Sequence, residues 1–319
     1  MFSIYDFFSR NIQFLPAKPL VWFRLLKNYG YVFMQKPRLR VVTIALGYDC
    51  QCHCQHCSAD TRSKTQTALT LVAKVFQDAM RCGAINIHFS GGEPLLYENL
   101  YELAAVVSPK LNILSLATNG LLLEQQAIKL KNAGFDLVIV SIDSSNPAEH
   151  DSIRGVQGAH KQAWKGIFAA RQAGLKVMAA MVVTRENLRN GDLAAQIKYC
   201  QNLKLALQLL PARAMGKWNE RKDVLFNQED KELFFRFVLM PGVRWDGQSS
   251  YGSVKCLAGR ERLYIDPAGN VYGCDFMRKK LGNINDNSLN EIWQDVIRLA
   301  PFNRVNKECL TAFDKAFIG

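Results

Sequence analysis

Four cysteines within eight residues constrain this chain more than anything else in it: Cys50-Gln-Cys52-His-Cys54-Gln-His-Cys57 follows directly on the apolar run Val41–Leu46. Thiols so close together make a poor disulfide framework, and the total of nine cysteines is odd. In a reducing compartment such a group reads as metal ligation, because closely spaced thiolates converge on one centre without closing large loops. Cys50, Cys54 and Cys57, spaced C-x3-C-x2-C, can hold three irons of a [4Fe–4S] cube and leave the fourth iron open to a small ligand. The alternative is a zinc site using cysteine with His53 or His56, although zinc usually takes two ligand pairs well separated in sequence. Cys52 is left out of the set, since alternation along a tight loop points it away from the ligands on either side.

Around this loop, short apolar strand patterns alternate with amphipathic helical ones. Val41–Leu46, Ile85–Phe89, Ile113–Ala117, Leu137–Ile142, Leu175–Val183 and Leu205–Leu210 read as strands. Leu69–Arg81, Tyr97–Val107, Leu122–Ala133, Ala163–Ala173 and Gly191–Leu203 read as helices between them, and the helix after the sixth strand is poorly marked. Six strand–helix rounds of this length imply parallel pairing with right-handed crossovers. The expected fold is α/β, a partial (β/α)6 TIM-like barrel over residues 41–240, with its chemistry at the carboxyl ends of the strands. Gly, Ser and polar residues break the pattern around Pro241–Gly252. Residues 241–319 then form a small α+β extension that contains cysteines, with a hairpin from Arg262–Ile265 to Val271–Tyr272 and a helix over Leu289–Ile297.

Polar motifs stand at the ends of successive strands: Ser90-Gly91-Gly92-Glu93-Pro94, Thr118-Asn119-Gly120, Ser141-Ile142-Asp143, and then Arg154 in Glu149-His-Asp-Ser-Ile-Arg154-Gly155. With Cys50, Cys54 and Cys57 they resemble the radical S-adenosylmethionine superfamily. The resemblance implies that Gly91, Gly92, Glu93 and Pro94 form the site for the methionine amino group, with the glycines permitting close backbone approach and Glu93 supplying a carboxylate. It implies that Arg154, with Ser141 nearby, holds the cofactor carboxylate through a charge-assisted fork. Asn119 and Asp143 line the same cavity, and His56, just before the last cysteine, lies against the adenine. The activity implied is reductive cleavage of S-adenosylmethionine to a 5′-deoxyadenosyl radical that takes hydrogen from a substrate.

A second resemblance runs through Cys256-Leu-Ala-Gly, Gly269-Asn-Val-Tyr-Gly-Cys274, Gly282-Asn-Ile and Leu289-Asn-Glu-Ile-Trp293. It is similar to the cysteine-rich SPASM extension, or its shortened twitch form, which binds auxiliary iron–sulfur clusters. Only Cys256, Cys274 and Cys309 follow the barrel, so at most one auxiliary cluster is implied. Asn306 stands where a closing Cys-x-x-Cys would begin, which leaves an open or non-cysteine ligand, or no cluster. Cys82 and Cys200 read as simple buried thiols.

Members with this extension act mostly on peptides or proteins, so a peptide substrate is expected; a lipid or other small metabolite is the alternative, and a non-catalytic electron-transfer protein the runner-up class. The expected partners are a reductant such as a ferredoxin or flavodoxin and the substrate. Of the formal charge of +12, residues 1–40 contribute +6 (seven Lys or Arg against Asp6) together with ten aromatics. Such an arm either packs on the barrel as a helical extension or lies on an anionic membrane surface. No specific nucleic-acid binding is expected. Lacking a membrane-spanning run or secretory signal, the chain is expected in the cytoplasm, with peripheral contact at the inner membrane surface as the variant.

Overall fold

A computed structural model describes residues 18–34, 36–59, 66–247, 256–306 and 308–313. The six anticipated strands form, as β1 (Val41–Ala45), β2 (Asn86–Ser90), β3 (Ile113–Thr118), β4 (Leu137–Ser141), β5 (Lys176–Val183) and β6 (Ala206–Pro211), each parallel to the next. Val42, Ile44, Ile87, Phe89, Leu114, Leu116, Val138 and Val140 are sealed in the core. Burial alternates along β2, β4 and β6, which is the mark of strands with one face under helices and one face toward the barrel interior.

A seventh strand, β7 (Val243–Trp245), pairs parallel with β6 inside the stretch read as a break. Its three residues carry no periodicity of their own, but Trp245 is buried against Phe234, Phe235 and Phe313, and that aromatic packing fixes the strand. The extension is continuous with the barrel sheet. β8 (Arg262–Ile265) runs parallel to β1, and β9 (Asn270–Tyr272) and β10 (Gly282–Asn283) follow antiparallel, giving one open ten-stranded sheet in the order β10-β9-β8-β1-β2-β3-β4-β5-β6-β7. A buried ion pair between Arg40 and Glu261 fastens the join.

Of the arm, α1 (Pro19–Phe33) caps the amino ends of the strands. Val21, Trp22 and Leu25 pack on Ile85 and Ile113, Lys18 Nζ meets Asp136 Oδ2 at 2.5 Å, and Arg24 donates to the carbonyls of Leu111 and Ala84. Two of the arm's cations are thus turned onto the barrel, as expected of a packed helical extension; residues 1–17, with half of the arm's ten aromatics, lie outside the described residues. Among the described residues no helix is long and apolar enough to cross a membrane.

The remaining helices are α2 (Leu69–Cys82), α3 (Leu100–Val106), α4 (Leu123–Asn132), α5 (Pro147–Arg154), α6 (Ala159–Gln172), α7 (Asp192–Asn202), α8 (Gln228–Val238), α9 (Leu289–Val296) and α10 (Leu310–Phe313). The periodicity reading has no counterpart for α5. Its signals are local: the Asn146 side chain accepts from the N–H groups of Ala148 and Glu149, Pro147 opens the first turn, and Gly155 closes the helix at φ 67°. This short helix delivers Arg154 to the site.

Candidate functional site

The cysteine loop leaves the carboxyl end of β1 and is fastened from three directions by backbone. From the β2 end, Gly92 N donates to Gly47 O and Glu93 N to Asp49 O, both at 2.8 Å. A Cβ on Gly91 would lie 2.2 Å from Gly47 O, and one on Gly92 2.3 Å from Asp49 O. The two glycines therefore admit the cysteine loop itself. From α5, the carbonyls of Ile153 and Arg154 accept from Gln55 N and His53 N, each at 2.9 Å. From the loop after β6, Lys217 N donates to Cys57 O at 2.9 Å, and a Cβ on Gly216 would fall 2.0 Å from that same oxygen. This clamp has no counterpart in the sequence reading; Gly216, at φ 58°, is the signal that could have found it.

Side chains then reach the thiols. Asn119 Nδ2 donates to Gln51 Oε1 at 3.2 Å and lies 3.7 Å from Cys50 Sγ, and Arg154 Nη1 lies 3.5 Å from Cys54 Sγ. Cys52 departs from the alternation argument: its thiol is turned between those of Cys50 and Cys54 and hydrogen-bonds to both. The loop is not an extended strand, because Cys52 N folds back toward Cys50 Sγ at 3.4 Å. The hydrogen bond from Cys52, followed by the charges of Arg154 and His56, holds the Cys54 thiol down to about 5. Low thiol pKa is what a ligand needs, since the thiolate binds metal.

Glu93 is buried at 4% exposure, and its carboxylate ties two strand ends together. Oε1 accepts from Leu95 N and Thr118 Oγ1 at 3.0 and 2.7 Å, and Oε2 accepts from Asn119 N at 2.8 Å. A carboxylate has about four acceptor positions, so one remains for an ammonium group. Burial raises Glu93 to about 7.

Arg154 departs in part from the role inferred for it. Its Nη2 pairs with Asp143 Oδ2 at 2.5 Å, while Nε is buried with no partner among the described residues. That N–H is left over for a carboxylate. Ser141 ends β4 half-buried, whereas the guanidinium is committed to Asp143 and Cys54. Asp143 also accepts from Val182 N at 3.0 Å and lies 3.5 Å from His56 Nε2. His56 packs against Trp218, with ring centroids 5.6 Å apart. Pro94 is buried at the start of a single helical turn that Glu93 caps.

In the extension, the Cys256 and Cys309 thiols hydrogen-bond to one another and both face Cys274. Burial pushes Cys274 up to about 12. Asn306 supplies only its carbonyl, which accepts from Cys256 N at 2.9 Å.

Two thiol groups, each with buried hydrogen-bond donors aimed at sulfur, suit iron–sulfur clusters, whose ligands bind separate irons. Among the described residues no three His, Cys, Asp or Glu side chains gather as they would around a single ion. Residues 44–195 match the radical SAM superfamily, and residues 256–311 match an iron–sulfur cluster-binding domain of the SPASM type. The chain belongs to the radical SAM superfamily.

As a radical SAM enzyme it uses a [4Fe–4S] cluster and S-adenosylmethionine, and its SPASM-type domain is an iron–sulfur module. It is 26% identical over 296 residues to an AdoMet-dependent heme synthase of Oleidesulfovibrio alaskensis, covering 81% of this chain and 75% of that one. It is 31% identical over 202 residues to a "Probable GTP 3′,8-cyclase" of Methanococcus aeolicus, covering 61% and 67%. Its fold matches Streptococcus suis SuiB bound to precursor peptide SuiA with a TM-score of 0.64 at 14% identity, over 88% of this chain and 68% of SuiB.

Proposed function

We propose that this radical SAM enzyme takes hydrogen from a small anionic organic substrate at the carboxyl end of its barrel, with Cys50, Cys54 and Cys57 holding the cluster. The observation that carries the site is the cysteine loop, pinned by the Gly91-Gly92 turn, by α5 and by the β6 loop, with Arg154 and Asn119 against its sulfurs. When bound, the reduced cluster and S-adenosylmethionine supply one-electron cleavage to methionine and a 5′-deoxyadenosyl radical. The chain's own part is orientation. Arg154 Nε offers a donor to the methionine carboxylate, Glu93 its remaining acceptor position to the ammonium group, and His56 and Trp218 a wall beside the cysteine loop. Ser141, Asp143, Pro94 and Asn119 shape that cavity.

The substrate class rests on charge and on kinship. Arg278, Lys279 and Lys280 form an exposed cationic run, and Arg278 Nη2 donates to Ala214 O at 2.7 Å, in the loop that clamps Cys57. A carboxylate-bearing molecule suits that rim, and the heme synthase relatives, which the chain matches over most of its length, favour one of the tetrapyrrole type. The peptide expectation leaned on the extension, and the SuiB likeness is one of fold.

The test is anaerobic reconstitution with iron and sulfide, addition of S-adenosylmethionine and dithionite, and chromatography for 5′-deoxyadenosine beside a Cys54→Ala control. A carboxylated porphyrin should raise turnover above the substrate-free rate; stimulation by a peptide panel alone would overturn the substrate class. An iron-loaded protein that makes no 5′-deoxyadenosine under any condition would overturn the reaction.

A further inference from the structure

The extension brings three thiols together and lacks a fourth. Asn306, at the place where another cysteine would complete the set, is turned away: its Nδ2 donates to Pro301 O at 2.9 Å and to Arg304 O at 3.4 Å. Any fourth protein donor has to come from elsewhere in the chain.

Asp246, directly after β7, lies at the thiols from the barrel side. It is 7% exposed. Its Oδ2 accepts from Arg213 Nη2 at 2.6 Å, and the same Nη2 reaches Cys309 Sγ at 3.7 Å, so one guanidinium nitrogen bridges carboxylate and thiol. Arg213 is held in turn by the Thr311 hydroxyl at 3.3 Å, the Pro211 carbonyl at 3.1 Å and the face of Phe276 at 3.9 Å. The other oxygen, Asp246 Oδ1, is buried with no hydrogen-bond partner among the described residues. A buried carboxylate oxygen left bare is costly, and metal coordination is one of the few ways to satisfy it. Ligating carboxylates are also themselves hydrogen-bonded, as Oδ2 is here.

We propose that Asp246 Oδ1 is the fourth ligand of the auxiliary cluster, completing Cys256, Cys274 and Cys309, with Arg213 as the positioning residue that holds the carboxylate. This rests on the reading that those three cysteines bind an auxiliary cluster. One other buried oxygen competes, Asp275 Oδ1, beside Cys274. Its side chain is 24% exposed and faces Arg262 at 3.6 Å, apart from the Arg213 bridge to Cys309. The ligand set is therefore three thiolates and one oxygen, and the cluster is closed to substrate.

The experiment uses the full chain carrying Cys50→Ala, Cys54→Ala and Cys57→Ala, so that only the auxiliary cluster remains, reconstituted with 57Fe. The expected result is about four irons per chain with one in four distinct in its Mössbauer parameters. Adding Asp246→Ala or Asp246→Asn should lower iron toward three per chain and give the paramagnetic signature of a three-iron cluster. Adding Asp246→Cys should restore four irons and abolish the distinct subsite. Asp246→Asn retains the size and a hydrogen-bonding oxygen for Arg213, so it decides the matter if the alanine variant does not fold. An unchanged spectrum and iron content in Asp246→Asn, or loss of iron with Asp275→Ala in its place, overturns the assignment alone. Absence of iron in the three-alanine parent overturns the auxiliary-cluster reading along with it.

Discussion

Arg154 is shared between a carboxylate and a thiol: Nη2 lies 2.5 Å from Asp143 Oδ2 while Nη1 lies 3.5 Å from Cys54 Sγ. Both partners of the ion pair are buried, so removing one strands the other. Arg154→Ala should destabilise the fold by about 3–5 kcal/mol, the range for breaking a buried pair from one side. Arg154→Met combined with Asp143→Asn should cost clearly less than the two single changes summed. Urea denaturation of Arg154→Ala and of the parent, Arg154→Met, Asp143→Asn and the double variant checks this, and additive losses in the last three would show that the pair is uncoupled.

At Gly91 and Gly92, as at Gly216, a side chain would meet backbone of the cysteine loop. Gly91 stands at φ 128°, and its Cβ would overlap Gly47 O, a backbone atom that cannot step aside. Gly91→Ala and Gly92→Ala should each lower iron incorporation by more than half after reconstitution, because the cysteine loop must move to make room. Gly191, at φ 92° with nothing within 4 Å of its Cβ, is the control. Gly191→Ala should cost about 1–2 kcal/mol of backbone strain and leave iron content unchanged.

His150 is fully buried, and its Nδ1 accepts the N–H of Asp143 at 3.1 Å, so that nitrogen must be unprotonated. Burial, with Arg154 nearby, lowers it from 6.5 to about 4. As pH falls below 6.5 the unfolded chain takes up the proton first. Stability is complete above about pH 6.5 and declines until about pH 4, by about 3 kcal/mol for a shift of this size. His150→Asn, which keeps an acceptor oxygen and cannot titrate, should flatten that part of the stability–pH curve. A slope as steep as the parent's would assign the effect to other groups.

Cys52 touches both neighbouring thiols, yet the C-x3-C-x2-C spacing assigns ligation to Cys50, Cys54 and Cys57. Cys52→Ser should retain about four irons at that site, measured with Cys256→Ala present to remove the auxiliary cluster, whereas Cys54→Ser should lose most of them. Equal losses would make Cys52 a ligand.

The sheet was legible because each strand has its own apolar run, and the candidate cysteine loop was legible because cysteine spacing is a local property. β7 and the pairing of β8 with β1 were not, since a three-residue strand has no period and its stability comes from Trp245 meeting Phe313, 68 positions away in the sequence. The motif residues gather at the strand ends, where they bind one another. Glu93 spends three acceptor positions on Leu95 N and on Thr118 and Asn119 at the end of β3, and Arg154 spends its terminal nitrogens on Asp143 and Cys54. Such divisions of labour depend on partners from other strands, which spacing alone does not reveal. Asp246 was invisible for the same reason: an isolated aspartate gains meaning only when Arg213 and Cys309 are beside it.

The clamp of Gly216 and Lys217 on Cys57 also sets a clock. About 160 residues separate the two sides of that contact, which a ribosome adds in roughly 8–30 s at ordinary elongation rates. Until the β6 loop has been synthesised and folded back, the thiols stand in a groove with one wall missing. The cysteine loop therefore reaches its final backbone arrangement only after a segment made much later in synthesis has joined it.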